Sequence, residues 1–92
     1  MAGMFPEITL RFTLVDDSEQ VAVVRAAAMV KLERKYGIEL SDIGKKMEYF
    51  MYLGYSQLKL DKKVNLVFES WLKRVVNVEM ESSEMPVLGE GL

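Results

Sequence analysis

The stretch Met47–Leu60, MEYFMYLGYSQLKL, restricts the possible folds of this chain more than any other segment. On a helix, Met47, Phe50, Met51, Gly54 and Leu58 recur at steps of three and four and share a face. Tyr49, Leu53, Ser56 and Leu60 do the same on a roughly opposite face. Lys45, Glu48 and Lys59 fill one strip between them, and Lys46 and Gln57 the other. A helix with two apolar stripes must be covered from two sides, either by its own domain or by another chain. If the first stripe takes the intramolecular core, the second becomes a contact surface. Tyr49, Leu53, Ser56, Leu60, Met47, Met51 and Leu58 are therefore the candidate partner or oligomer contacts. The alternative is a central helix sandwiched within one small domain.

A chain of 92 residues supplies one domain with a small core, for which oligomerisation is a natural source of extra burial. Half the residues are hydrophobic and 28% are charged, the balance of a folded globular domain. A formal net charge of −2 builds no field for nucleic acid, so no nucleic-acid partner is expected. The densest basic cluster, Lys31, Arg34 and Lys35, is diluted by Glu33. With no cysteine and no histidine there are no disulfides, thiolate nucleophiles, imidazole bases or ordinary zinc sites. No apolar run reaches the roughly 18–20 residues of a membrane span, and the first residues do not read as a signal peptide.

In chain order, residues 1–6 read as a lead-in closed by Pro6. From Glu7, apolar Ile8, Leu10, Phe12 and Leu14 alternate with Thr9, Arg11 and Thr13, the period of a half-buried strand. Asp16-Asp17-Ser18-Glu19 is a polar turn, and Gln20–Val24 a second strand with Val21 and Val23 on one face. A rival reading starts a helix at Asp17 and runs it to Tyr36, helped by three consecutive alanines. The hairpin over 7–24 is favoured because a lone strand at Glu7–Val15 would leave its backbone unpaired. A helix is expected over 26–36, with Ala28, Met29, Leu32 and Tyr36 aligned and Gly37 ending it in the left-handed conformation. Ser41 or Asp42 caps the next helix, over 42–60, with Gly44 marking a short turn near its start. Gly54 costs about 1 kcal/mol against alanine inside a helix, a cost best offset by close approach of another helix. A last helix is expected over 65–78, with Phe68, Trp71, Leu72 and Val75 as its stripe and Trp71 in the core. Residues 81–92, rich in Ser, Pro, Gly and Glu, read as a flexible acidic tail. The expected fold is thus α+β and mostly helical: an N-terminal β-hairpin, three helices and a tail.

Little in the sequence points to catalysis. Asp16-Asp17 is a turn pair, no serine lies in a nucleophile elbow, and no glycine-rich loop follows a strand. No metal, cofactor or catalytic residue is expected. The seven methionines suit an adaptable apolar surface for a helical partner as well as they suit core filling.

The order of several short features resembles a known family. Leu32-Glu33-Arg34-Lys35-Tyr36-Gly37 ends one helix, and Glu48-Tyr49-Phe50-Met51-Tyr52-Leu53 opens the next. Phe68-Glu69-Ser70-Trp71-Leu72 follows, then Val78-Glu79 and an acidic end. This arrangement, over residues 7–80, is similar to the tail assembly chaperones of long-tailed (siphovirus-type) bacteriophages, especially those of actinobacteria. The chain departs from the family pattern at Ala26–Ala28, where an acidic or threonine start is usual, and lacks the alanine–tryptophan pairing common after the second helix's leucine. The resemblance implies a protein without catalysis that binds the tape measure protein and keeps this long helical chain soluble. It also implies recruitment of the tail-tube protein through a longer product of programmed frameshifting, residence in the host cell cytoplasm, and absence from the mature virion. A homo-oligomer is expected, with no membrane partner. The competing reading is a small dimeric regulatory or antitoxin-like interaction module.

Overall fold

The computed structural model describes residues 7–82. The element order is β1 (Ile8–Leu14), β2 (Glu19–Val23), α1 (Ala26–Tyr36), a 3-10 turn (Leu40–Lys45), α2 (Met47–Leu60), α3 (Phe68–Leu72) and β3 (Val75–Ser82). The strands form one antiparallel sheet in the order β2-β1-β3, so the first strand is the central one. The fold is mixed α+β rather than mostly helical. The expected lead-in at residues 1–6 and most of the expected acidic tail lie outside the described residues.

Strand β1 follows its alternation without exception, with Ile8, Leu10, Phe12 and Leu14 buried and the residues between them half-buried. The hairpin turn is held by Ser18, whose N–H and hydroxyl both donate to Asp16 Oδ1 at 3.0 and 2.6 Å. Asp17 takes the left-handed conformation at φ 71°, which a short polar side chain tolerates. In β2 the register pairs Leu10 with Ala22 and Phe12 with Gln20, so these residues face inward. Val21 and Val23 do share a face, but it is the solvent side; Ala22 and Val24 are the buried residues.

Helix α1 has its expected bounds and ends at Gly37, φ 64°, whose N–H donates to the Glu33 carbonyl. The central helix begins later than position 42. Residues 40–45 close a 3-10 turn, in which Asp42 accepts from the Glu39 N–H at 3.1 Å and pairs with Lys45 at 2.8 Å. Lys46 is extended, which breaks the chain before α2. Buried Ile43 anchors this turn to the core.

Helix α2 lies between the sheet and α1, and every residue from Leu53 to Leu58 is buried. Gly54 faces β1 rather than another helix: a Cβ there would collide with the Phe12 ring and meet Leu10 Cδ1 at 3.2 Å. The close approach that offsets its helix penalty is therefore helix on sheet. Buried Gln57 accepts from the Arg25 N–H at 2.9 Å and donates to Asp61 Oδ1 at 3.1 Å, which fixes the start of α1 to the end of α2. The helix ends with Lys62 at φ 61° and a bond from the Lys63 N–H to the Leu58 carbonyl, a Schellman closure without glycine.

The largest departure follows Leu72. The expected helix over 65–78 is confined to Phe68–Leu72, and Val75–Ser82 forms β3 against the second side of β1. Val75, Val76 and Val78 are β-branched, and a period-two pattern runs from Val76 to Glu81. The hairpin also leaves one side of β1 unpaired, and β3 satisfies it. Thr13 faces Asn77 while Leu14 faces Val75, so Val76 is the extra residue of a bulge. Glu81 and Ser82, expected in the tail, pair with Thr9 and Ile8.

Trp71 is a core residue, 1% exposed. It meets Phe12 edge-on at 5.0 Å, and its Nε1–H donates to Gln20 Oε1 at 3.0 Å. From there a continuous series of rings, Trp71, Tyr55, Phe68, Tyr52 and Tyr36, joins β1 to α1 through the middle of α2. At its far end Tyr36 donates to Glu48 Oε2 at 2.6 Å; burial, and then this bond, push its hydroxyl well above the ordinary tyrosine range.

Candidate partner-binding surface

Most of the contact residues expected on α2 are taken up by the chain's own core. Leu53 and Leu58 are fully buried, and Met51 and Ser56 are buried beside them. Tyr49 is half-buried against Tyr36, with ring centroids 5.1 Å apart. Only Met47 and Leu60 are exposed, at 63% and 42%. They sit at opposite ends of α2, about 20 Å apart at 1.5 Å per residue. The two stripes are real, but the sheet covers one and α1 the other. They do not form a free face.

The exposed apolar surface lies instead beside β3. Met47 and Met51 at the start of α2, Leu72 at the end of α3, and Val75, Val76 and Val78 of β3 line an open trough of about 300 Å³. Val76 is 61% exposed, and Met80 continues the strip at 51%. The register explains the strip. Val78 pairs with Phe12 and Met80 with Leu10, which turns both toward the helical layer; Val78 packs half-buried against the core, and Met80 stays exposed. Sequence reasoning placed Met47 and Met51 near a contact surface and missed the β3 residues. The signal that could have found them is the alternation Val76-Asn77-Val78-Glu79-Met80-Glu81.

A second apolar hollow, about 170 Å³, lies between α1 and the 3-10 turn, lined by residues including Met29, Val30, Ile38 and Ile43 with Glu33 and Glu39. Its size suits one side chain, whereas the trough runs along a strand and suits a segment. The solvent face of the sheet is polar apart from Val21 and Val23, with Arg11 and Glu19 3.7 Å apart.

Charge is arranged along β3 itself. Lys73 and Arg74 precede it, and Glu79 and Glu81 lie near its end. Among the described residues no group of three or more acids is placed to hold a metal ion, and no helix is long and apolar enough to cross a membrane. Ser56 Oγ is buried without a hydrogen-bond partner among the described residues. No protein-family model, curated protein or solved structure matches the chain.

Proposed function

We propose that this chain is a tail assembly chaperone of a long-tailed bacteriophage. In this reading it binds the tape measure protein, keeps it soluble, and helps bring tail-tube subunits to it through a longer frameshifted product. It acts without catalysis, self-associates, works in the host cell cytoplasm and is left out of the finished virion. The observation that carries the reading is the trough beside β3. A client that is one long amphipathic helix needs an apolar seat open at both ends, and methionine side chains adapt to successive segments of such a client. Met47 and Val76 supply the exposed walls of that seat, above buried Met51. The order of the Leu32-Glu33-Arg34, Phe68-Glu69-Ser70-Trp71 and Val78-Glu79 segments supplies the choice of family.

The test is co-expression with the tape measure protein of the same phage. The wild-type chain should keep that protein in the soluble fraction. A Met47→Glu, Val76→Glu double variant, altered only at exposed positions, should leave it insoluble while the variant itself stays folded by circular dichroism. Equal solubilisation by wild type and variant would remove the trough from the mechanism.

A further inference from the structure

Among the described residues, no strand pairs with the outer edge of β3. Among the described residues, no hydrogen bond of residues 75–82 reaches any element other than β1. Such an edge is a template for another strand, and it is blunted neither by proline nor by an inward-pointing charge. Val78 and Met80 lie on the inward side opposite Phe12 and Leu10, Val76 is the bulge residue, and Val76 and Met80 are more than half exposed.

We propose that β3 pairs antiparallel with β3 of a second copy of this chain, about a two-fold axis at Val78, to give a continuous six-stranded sheet. The occupant follows from the strand's own sequence. In this register Val78 faces Val78, Val76 faces Met80 of the second copy, and Asn77 faces Glu79 of the second copy. Each exposed apolar residue lies beside another on the same face, and no carboxylate opposes a carboxylate. Lys73 and Arg74 at the start of one strand come beside the acidic end of the other. The alternatives are worse matched. Parallel pairing in register sets Glu79 against Glu79 and Glu81 against Glu81. An antiparallel register centred on Glu79 repeats the first clash, and one centred on Asn77 sets Met80 against Arg74 and Val75 against Glu79, two apolar–charged pairs where the register centred on Val78 has one, Val75 against Glu81. The same two-fold axis brings the troughs of both copies to the same side of the joined sheet, one on each side of the axis, so that one helical segment can cross both.

This inference deepens the self-association included in the proposed function. It is tested on the isolated chain, so its failure is separate from a failure of client binding. Sedimentation equilibrium of the wild type at micromolar concentration should give a dimer. Val76→Lys and Met80→Glu should each be monomeric with unchanged far-UV circular dichroism. Mixed one to one, they should recover a dimer, because lysine of one chain then faces glutamate of the other while the second Val76–Met80 pair is intact. If either charged variant fails to fold, Val76→Thr and Met80→Thr replace them and should each shift dimer formation to higher concentration. A monomeric wild type, a dimer untouched by the substitutions, or charged variants that fold but do not pair when mixed would each overturn the proposal.

Discussion

Strands β2 and β3 flank β1 in the same antiparallel way, but their outer edges are treated differently. The β2 edge is tied down by residues distant in sequence. Lys63, in the loop after α2, donates from Nζ to the Val21 carbonyl at 3.4 Å, and its own carbonyl accepts from Gln20 Nε2 at 3.4 Å. Gln20 in turn accepts from Trp71. The next inward residue of β2 after Gln20, Ala22, is fully buried. At β3 the helical layer stops short, leaving Val76 and Met80 exposed, and among the described residues no hydrogen bond reaches the outer backbone edge. One β-sheet thus has a side to which the loop after α2 is tied by side-chain bonds and a side with no such tie among the described residues. The difference arises from length: α3 has only five residues, and the chain turns back into the sheet before a longer helix could cover it.

The closed side should be the one that fails most severely when altered. Trp71→Ala removes a buried aromatic and the Gln20 bond together and is expected to cost about 3–5 kcal/mol, the range for large aromatics in cores. Urea unfolding measures it. A loss under about 1 kcal/mol would mean that the β2 side is held by other contacts. Gly54→Ala tests the layer between the two edges. It forces a methyl group onto the Phe12 ring and should destabilise by about 1–3 kcal/mol, despite alanine's better helix propensity. A more stable variant would show that Phe12 moves aside at little cost. The smallest effect belongs to the open edge. Truncation after Met80 removes the pairs of Glu81 with Thr9 and of Ser82 with Ile8 and should cost about 1 kcal/mol. Truncation after Ser82 leaves these pairs intact and should change stability by less than about 0.5 kcal/mol. Equal melting temperatures for the two truncations would show that the end of β3 adds nothing.

The same comparison explains how far the sequence could be read. The closed half was legible because its signals are local. Alternation at Ile8–Leu14 gives the central strand, Gly37 ends α1, and the two stripes of Met47–Leu60 mark a helix covered from both sides. The stripes did not reveal what covers them, because a helix apolar on two faces reads alike whether its cover is its own sheet or another chain. The open half was misread through β3. After Phe68-Glu69-Ser70-Trp71-Leu72, Val75 continues the helical stripe, and only from Val76 to Glu81 does the period change from about 3.6 to 2. The reason for the change is non-local: residues 75–82 pair with residues 8–14 at the far end of the chain, and the need of β1 for a second neighbour appears only once the hairpin is formed. The surface on which the candidate site depends was hidden by the same misreading.

Backbone amide hydrogen exchange, followed by mass spectrometry across a dilution series, tests the asymmetry of the edges most directly. The account predicts that peptides spanning residues 75–82 gain protection as the concentration of the chain rises, while those spanning 19–23 remain equally protected throughout. Concentration-dependent protection in β2 or at the α1 hollow, with β3 unchanged, would contradict it.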